Sequence, residues 1–247
     1  IVTNAHRINR GEYPWFRGAR DFFFIEAEDP DRVVEAVVAA VTSKLPRHLS
    51  CDPVDDVQVL SPMKRSAAGV DNLNVVLRDV LNPHRPGASE IRCRGLAFRR
   101  GDKVMQIRND YDRLVWNGDM GKIVRIDAEE GDVVVRFAEP EGDRDVLYHQ
   151  DELDELTLSY CVSIHKSQGS EYPAVVVPVT TQHYVMLQRN LLYTAVTRAR
   201  RTVVLIGTKK ALAIAVRNAS MLQRRTMLAP RLREATSASW PDEEQIG

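Results

Sequence analysis

The 247-residue chain lacks any G-x-x-x-x-G-K-[ST] stretch, the backbone cradle with which one domain grips nucleotide phosphates. A nucleotide handled here would therefore have to be shared with another domain. Net charge is missing too: 34 basic and 34 acidic residues cancel, so contact with nucleic acid must come from local arrangement rather than a cationic field. Cysteine is scarce. Cys51, Cys93 and Cys161 lie far apart with no C-x-x-C spacing, which points to reduced thiols in a cytoplasmic protein and, with no standard His and Cys pattern, to no metal site. No run approaches the ~18 apolar residues of a membrane span, and no charged-then-apolar leader is present, so neither a membrane partner nor export is expected. No internal repeat or low-complexity tract interrupts the chain.

What is present suffices for a substantial core, since 44% of the residues are hydrophobic. The chain begins Ile1-Val-Thr-Asn-Ala-His6 rather than with Met, which reads as the interior of a longer polypeptide. Residues 235–247 mix Ser, Asp, Glu and Pro and are expected to form a flexible tail.

The apolar periodicity alternates between two and 3.6 residues. Residues 21–27 read as a short buried strand, followed by Asp29 or Asp31 as a helix cap, Pro30 in the first turn, and Val33, Val34, Val37, Val38 and Val41 at helical spacing through Pro46. The pattern recurs as a strand at 57–62, a helix from Val70 to about Asn82, a strand at 174–179, a helix at 186–200, a strand at 202–207 and a helix at 210–218. Such alternation predicts an α/β fold with a parallel sheet covered by helices on both faces. Between residues 92 and 155 the rhythm changes to short strands at 103–108, 121–126, 132–137 and 145–149, separated by tight-turn signals. These predict a small β-barrel inserted into the α/β domain.

Two clusters carry chemistry. Ser163-Ile-His165-Lys166-Ser167-Gln168-Gly169-Ser170-Glu171 follows an apolar strand. At the carboxyl edge of a parallel sheet its hydroxyls could donate to phosphate oxygens, Lys166 would add charge, and Gly169 would let the backbone approach closely. The plainer alternative is a polar loop in which Ser167 caps a helix. Further on, Tyr193-Thr-Ala-Val-Thr-Arg198-Ala-Arg200 places two arginines at the end of the predicted helix, roughly 200° apart around its axis. One guanidinium could reach a neighbouring domain's nucleotide, or both could simply complement the helix macrodipole. Asp242-Glu-Glu-Gln245 and Asp151-Glu152 have the spelling of a Mg²⁺-holding acidic box, but no apolar strand precedes the first, and neither is assigned a role.

These residues resemble a known family. Ser163 to Glu171 is similar to motif V, and Leu192 to Arg200 to motif VI, of superfamily 1 DNA helicases of the RecD-like branch, the exodeoxyribonuclease V alpha-subunit type. Val59-Leu-Ser-Pro-Met-Lys64-Arg65 with Gly69, Leu73 and Asn74 resembles the motif IV region, and Ile1 to Gly11 the segment just after motif III. The resemblance implies a RecA-like domain at 1–91 and 156–234, interrupted by an SH3-like barrel at 92–155. It further implies an ATP-dependent helicase moving 5′ to 3′ in recombination and repair. ATP and Mg²⁺ would be bound mainly by a missing N-terminal RecA-like domain, and single-stranded DNA and other subunits of a recombination nuclease complex would be partners.

By residue, the resemblance makes Arg198 the arginine that contacts the γ-phosphate. It puts Glu171 near the ribose, Gln168 and Gly169 between nucleotide and DNA, and Ser163, His165 and Ser167 on the single-strand backbone, with Lys166 among them. Arg65 is the motif IV basic residue, aimed at the nucleotide's phosphate, with Lys64 competing for the role. In the barrel, Tyr111 and Trp116 among Arg99, Arg100, Lys103, Arg108 and Arg113 could stack a base and hold its phosphates. Alternatively Trp116 fills the barrel core, the weightier reading because small barrels need a large residue inside. A stand-alone single-stranded DNA-binding or partner-docking module is the competing reading of the whole chain.

Overall fold

Helix α1 (Val2–Asn9) leads into β1 (Phe22–Glu26), whose Phe22 is completely buried. The computed structural model describes residues 1–139 and 142–219; residues 220–234, the expected tail at 235–247 and Asp242-Glu-Glu-Gln245 lie outside them. After β1, Asp29 accepts from the backbone N–H groups of Asp31 and Arg32, and Pro30 opens α2 (Pro30–Ala39). This settles which aspartate is the cap. The helical path does not stop at Pro46. Proline has no N–H to offer the preceding turn, and the helix widens to a π-turn at Ala40–Lys44, with the Leu45 N–H donating to the Ala40 carbonyl, before continuing as α3 (Leu45–Leu49).

Then follow β2 (Val57–Ser61), α4 (Val70–Leu81), and six strands, β3 (Glu90–Cys93), β4 (Leu96–Arg99), β5 (Lys103–Gln106), β6 (Met120–Asp127), β7 (Asp132–Phe137) and β8 (Arg144–Tyr148). The chain returns through β9 (Leu156–Leu158), β10 (Cys161–Ser163), β11 (Tyr172–Val179), α5 (Arg189–Val196), β12 (Ala199–Gly207) and α6 (Lys209–Arg217), with 3-10 turns at Leu153–Glu155 and Thr181–Met186.

Strands β1-β12-β11-β2-β10 form one parallel sheet in that order. Its side chains alternate between two cores. Val57, Val59, Ala174, Val176, Val204 and Ile206 pack with Val33, Val37, Leu73 and Leu77 of α2 and α4, while Leu60, Val175, Val177, Val203 and Leu205 pack with Ile8, Leu192 and Leu212 of α1, α5 and α6. Both faces are thus covered, as the near-continuous Val and Ile runs require.

The inserted strands make an antiparallel sheet, β8-β7-β6-β5-β9, beside a β3-β4 hairpin. Strand β9 pairs with β5, so Leu156–Leu158 contributes a fifth strand to the four that periodicity predicts. The large residues filling the inside are Phe98, Phe137 and the fully buried Tyr148. Trp116 is 42% exposed, which corrects its expected place in the core.

Buried polar contacts join the two layers. Asp102 accepts from Asn82 Nδ2 at 2.7 Å, from the Arg99 amide at 2.8 Å and from the Tyr160 hydroxyl at 3.1 Å. Burial holds its carboxyl above the usual range, against the pull of those hydrogen bonds. Next to it, Lys103 sends its ammonium inward to the Val54 carbonyl at 2.6 Å, and burial lowers its pKa to about 8.

Candidate phosphate and nucleic-acid interface

Strand pairing places the two chemical clusters at opposite edges of the parallel sheet. Ser163 is level with Ser61, and Ala174 with Val57, so β10 ends opposite the far end of β11, whereas β11 itself begins at Tyr172 beside Ala199. At ~3.3 Å per residue the separation is roughly 20 Å. Residues 164–171 cross that gap. The segment is therefore not a loop confined to the carboxyl edge, as its composition predicts; only its first residues stand there.

The crossing is a series of tight turns. The Lys166 and Ser167 amides donate to the Ser163 carbonyl at 3.0 and 3.2 Å, Gln168 N–H to His165 O at 3.3 Å, and Ser170 N–H to Ser167 O at 3.2 Å. Gly169 turns the chain with φ of +90°, a left-handed conformation that costs glycine nothing. Ser167 is completely buried and its hydroxyl donates to the Ile164 carbonyl at 2.8 Å. It braces the turn from beneath, which corrects its expected place on the DNA backbone and leaves it capping no helix.

At the carboxyl edge, exposed Lys64 and Arg65 follow β2, and exposed His165 and Lys166 follow β10. The Lys166 ammonium is pushed below its ordinary range, first by partial burial and then by the nearby Lys64. Two like charges brought together in this way favour an anion between them. The loop carrying Lys64 and Arg65 is closed tightly: the Ser61 hydroxyl donates to the Ala68 carbonyl at 2.8 Å, and a Cβ on Gly69 would come within 2.6 Å of the Lys64 carbonyl. Asn74 on α4 then grips the β10 edge, donating to the Cys161 carbonyl at 2.8 Å and accepting from its amide at 2.9 Å. That clamp sets the strand from which Ser163, His165 and Lys166 project.

At the opposite edge stand the arginines. The predicted helix at 186–200 is shorter: α5 ends at Val196, and β12 begins at Ala199. Arg198 sits in the turn between them and Arg200 on the strand, so the helical angle between the two arginines does not exist. Pairing with β11 outweighs local helical spacing here, because it completes a central strand of the sheet. The Arg198 guanidinium is half-buried and donates to the carbonyls of Thr194 and Ser170, both at 3.2 Å, and to the Thr197 hydroxyl at 3.4 Å. Among the described residues no carboxylate neutralises it. Arg200, by contrast, is paired through Nε with Glu171 at 2.9 Å. Gln168 and Gly169 are exposed along the crossing between the two edges.

In the inserted sheet, Tyr111 and Trp116 stand 71% and 42% exposed with ring centroids 5.3 Å apart at 74°. Of the cations expected around them, most have other partners. Arg99 pairs with Glu90 and Asp79, Arg108 with Asp154, Arg113 with Asp110, Glu152 and Glu155, and Lys103 is buried. Apart from Asp110, a local partner of Arg113, those acids come from other strands and turns, so spacing along the chain could not reveal the pairings.

The chain is thus a parallel α/β layer interrupted by an antiparallel module, with cations at one edge of the parallel sheet and Arg198 at the other, joined by the turns of residues 164–171. The family described as ATP-dependent RecD-like DNA helicase SH3 domain matches residues 73–137, and that described as UvrD-like helicase C-terminal domain matches residues 158–206. Over 231 residues the chain is 37% identical to the ATP-dependent RecD2 DNA helicase of Deinococcus radiodurans, covering 91% of this chain and 30% of that one. It is 29% identical over 187 residues to the RecBCD enzyme subunit RecD of Mycolicibacterium smegmatis, covering 74% and 30%. The chain belongs to the RecD-like helicase family.

The chain spans about 30% of the length of these two relatives. Among solved structures, Pif1 helicase from Candida albicans superposes with a TM-score of 0.52 at 18% identity, covering 95% of this chain and 57% of that one. Pif1 helicase from Bacteroides, in complex with ADP-AlF3 and ssDNA, gives 0.51 at 14%, covering 96% and 54%. Likeness at such identity establishes the fold.

Proposed function

We propose that the chain is the second RecA-like domain, with its inserted SH3-like barrel, of an ATP-dependent DNA helicase that works 5′ to 3′ in recombination and repair. In this reading residues 1–91 and the described part of 156–234, through residue 219, form the motor domain and residues 92–155 the barrel. A RecA-like domain outside this chain carries the P-loop and most of the ATP and Mg²⁺ contacts. The observation that carries the reading is Arg198. It is half-buried, fixed by three oxygen acceptors and neutralised by no carboxylate among the described residues. A guanidinium so placed has donors and charge left for a phosphoryl group from a facing domain.

Glu171, on the same edge, would face the ribose, with Gln168 and Gly169 lining the passage toward the DNA. Ser163, His165 and Lys166, joined by Lys64 and Arg65, would hold the backbone of single-stranded DNA, and the Tyr111–Trp116 pair would stack a base. Arg65 was expected at the nucleotide; its place beside Lys166's edge favours the DNA side. The relatives' names include a RecBCD subunit, and partner subunits of a recombination nuclease are accordingly candidates for the parent. Among the described residues no helix is long and apolar enough to cross a membrane, and all three cysteines are unpaired, which supports a cytoplasmic setting.

The test is Arg198→Ala in the full-length parent. ATP turnover should fall by about 10³ to 10⁵, the range for arginine fingers, while binding of single-stranded DNA persists. Turnover near normal would instead favour a stand-alone DNA-binding module.

A further inference from the structure

Away from both edges of the parallel sheet, the outer face of β6, β7 and β8 and the 82–89 segment enclose an open groove of about 1290 Å³. Arg85, Arg100, Lys122 and Arg125 line it, and all four are exposed. Among the described residues Arg85, Arg100 and Arg125 form no ion pair, and Lys122 reaches Asp55 only at 3.9 Å. Asp145, the one acidic residue in the described wall, is already bound to Arg136 at 2.7 Å. In a chain whose formal net charge is zero, this is a local excess of cations, three of them without an ion-pair partner among the described residues.

The wall is braced rather than loose. Asn82 donates to the Arg100 carbonyl at 3.1 Å and to Asp102 at 2.7 Å, and Arg99 returns a bond to the Asn82 carbonyl at 3.2 Å. Among the described residues no Phe, Tyr or Trp lines the groove, and the exposed pair Tyr111 and Trp116 is not part of it. Single-strand sites combine cations with aromatic platforms for unstacked bases. A cationic groove without such platforms is suited to phosphates whose bases are stacked and paired elsewhere.

We propose that this groove binds the phosphodiester backbone of duplex DNA, as a second nucleic-acid surface separate from the single-strand contacts. The inference rests on the reading that the chain works on DNA, and goes beyond it in assigning a duplex site and its residues.

The experiment uses the 247-residue chain, a blunt duplex and an oligothymidine single strand, each titrated across salt. In the triple variant R85Q/R100Q/R125Q, duplex affinity should fall and the slope of log K against log salt should become shallower by roughly 0.9 for each phosphate contact removed. Affinity for oligothymidine should be unchanged, and Trp116→Ala should show the reverse pattern. Should the triple variant fail to fold, the single reversals R85E and R125E must each weaken duplex binding alone. Unchanged duplex affinity and slope overturn the proposal, as does an equal loss on both ligands, or a wild-type chain that binds oligothymidine but not duplex. A wild-type chain that binds neither overturns the DNA reading and this inference with it.

Discussion

Arg200 Nε donates to the Glu171 carboxylate at 2.9 Å, tying the start of β12 to the end of the turn that crosses the sheet. The pair lies in solvent at the edge where Arg198 stands, and it secures the crossing segment at its far end as Asn74 secures the strand at its near end. Residues 164–171 are therefore the segment that joins the two edges, with a side-chain contact at each end.

Because both partners are exposed, the Arg200–Glu171 pair should contribute little stability. A double-mutant cycle with R200A and E171Q is expected to give a coupling energy of about 1 kcal/mol or less in urea unfolding. A value of several kcal/mol would mean the pair is desolvated in solution.

Asn74→Ala removes both side-chain bonds to Cys161 and leaves that buried amide and carbonyl without them. The loss should be about 2 kcal/mol or more, and hydrogen exchange at the Cys161 amide should accelerate. Exchange unchanged at that amide would show that β10 does not depend on the clamp.

Tyr148 and Trp116, both in the inserted module, should behave oppositely. Tyr148→Ala, at a fully buried position, is expected to destabilise by roughly 3–5 kcal/mol. Trp116→Ala should leave the melting temperature nearly unchanged and weaken single-stranded DNA binding by about 1–3 kcal/mol. A large thermal shift for Trp116→Ala would return that residue to the core.

Lys103 makes stability depend on alkaline pH. Burial lowers its folded pKa from 10.5 to about 8, so between these values the unfolded chain binds the proton and the folded chain does not. Stability from this group therefore rises with pH across that interval. Burial raises the Cys161 thiol and the Tyr160 phenol and acts in the opposite sense, as the unfolded groups ionise above their ordinary values. The clean measurement is the difference between wild type and Lys103→Met in denaturant midpoint, which should shift in favour of wild type from pH 8 to pH 10. A difference independent of pH would place the ammonium in solvent.

The chain's local order was readable from residue spacing alone. Val33, Val37, Leu73 and Leu77 mark helices, and the Val-rich runs at 57–61 and 174–179 mark buried strands, because side-chain direction follows backbone period. The motif residues Ser163 to Glu171 and Tyr193 to Arg200 were likewise identifiable from their order. What spacing could not decide was anything set by partners distant in the chain. Thr197 to Arg200 leaves the helix because the strand that starts at Ala199 pairs with β11, and Leu156–Leu158 becomes a strand because β5 has an open edge. Arg99, Arg108 and Arg113 lose their freedom to acids that folding brings to them, whereas Arg85, Arg100 and Arg125 keep theirs. Residue identity determined which groups could meet phosphate; pairing and burial, which depend on three-dimensional neighbours, decided which of them remain available and that the two clusters face opposite edges of one sheet.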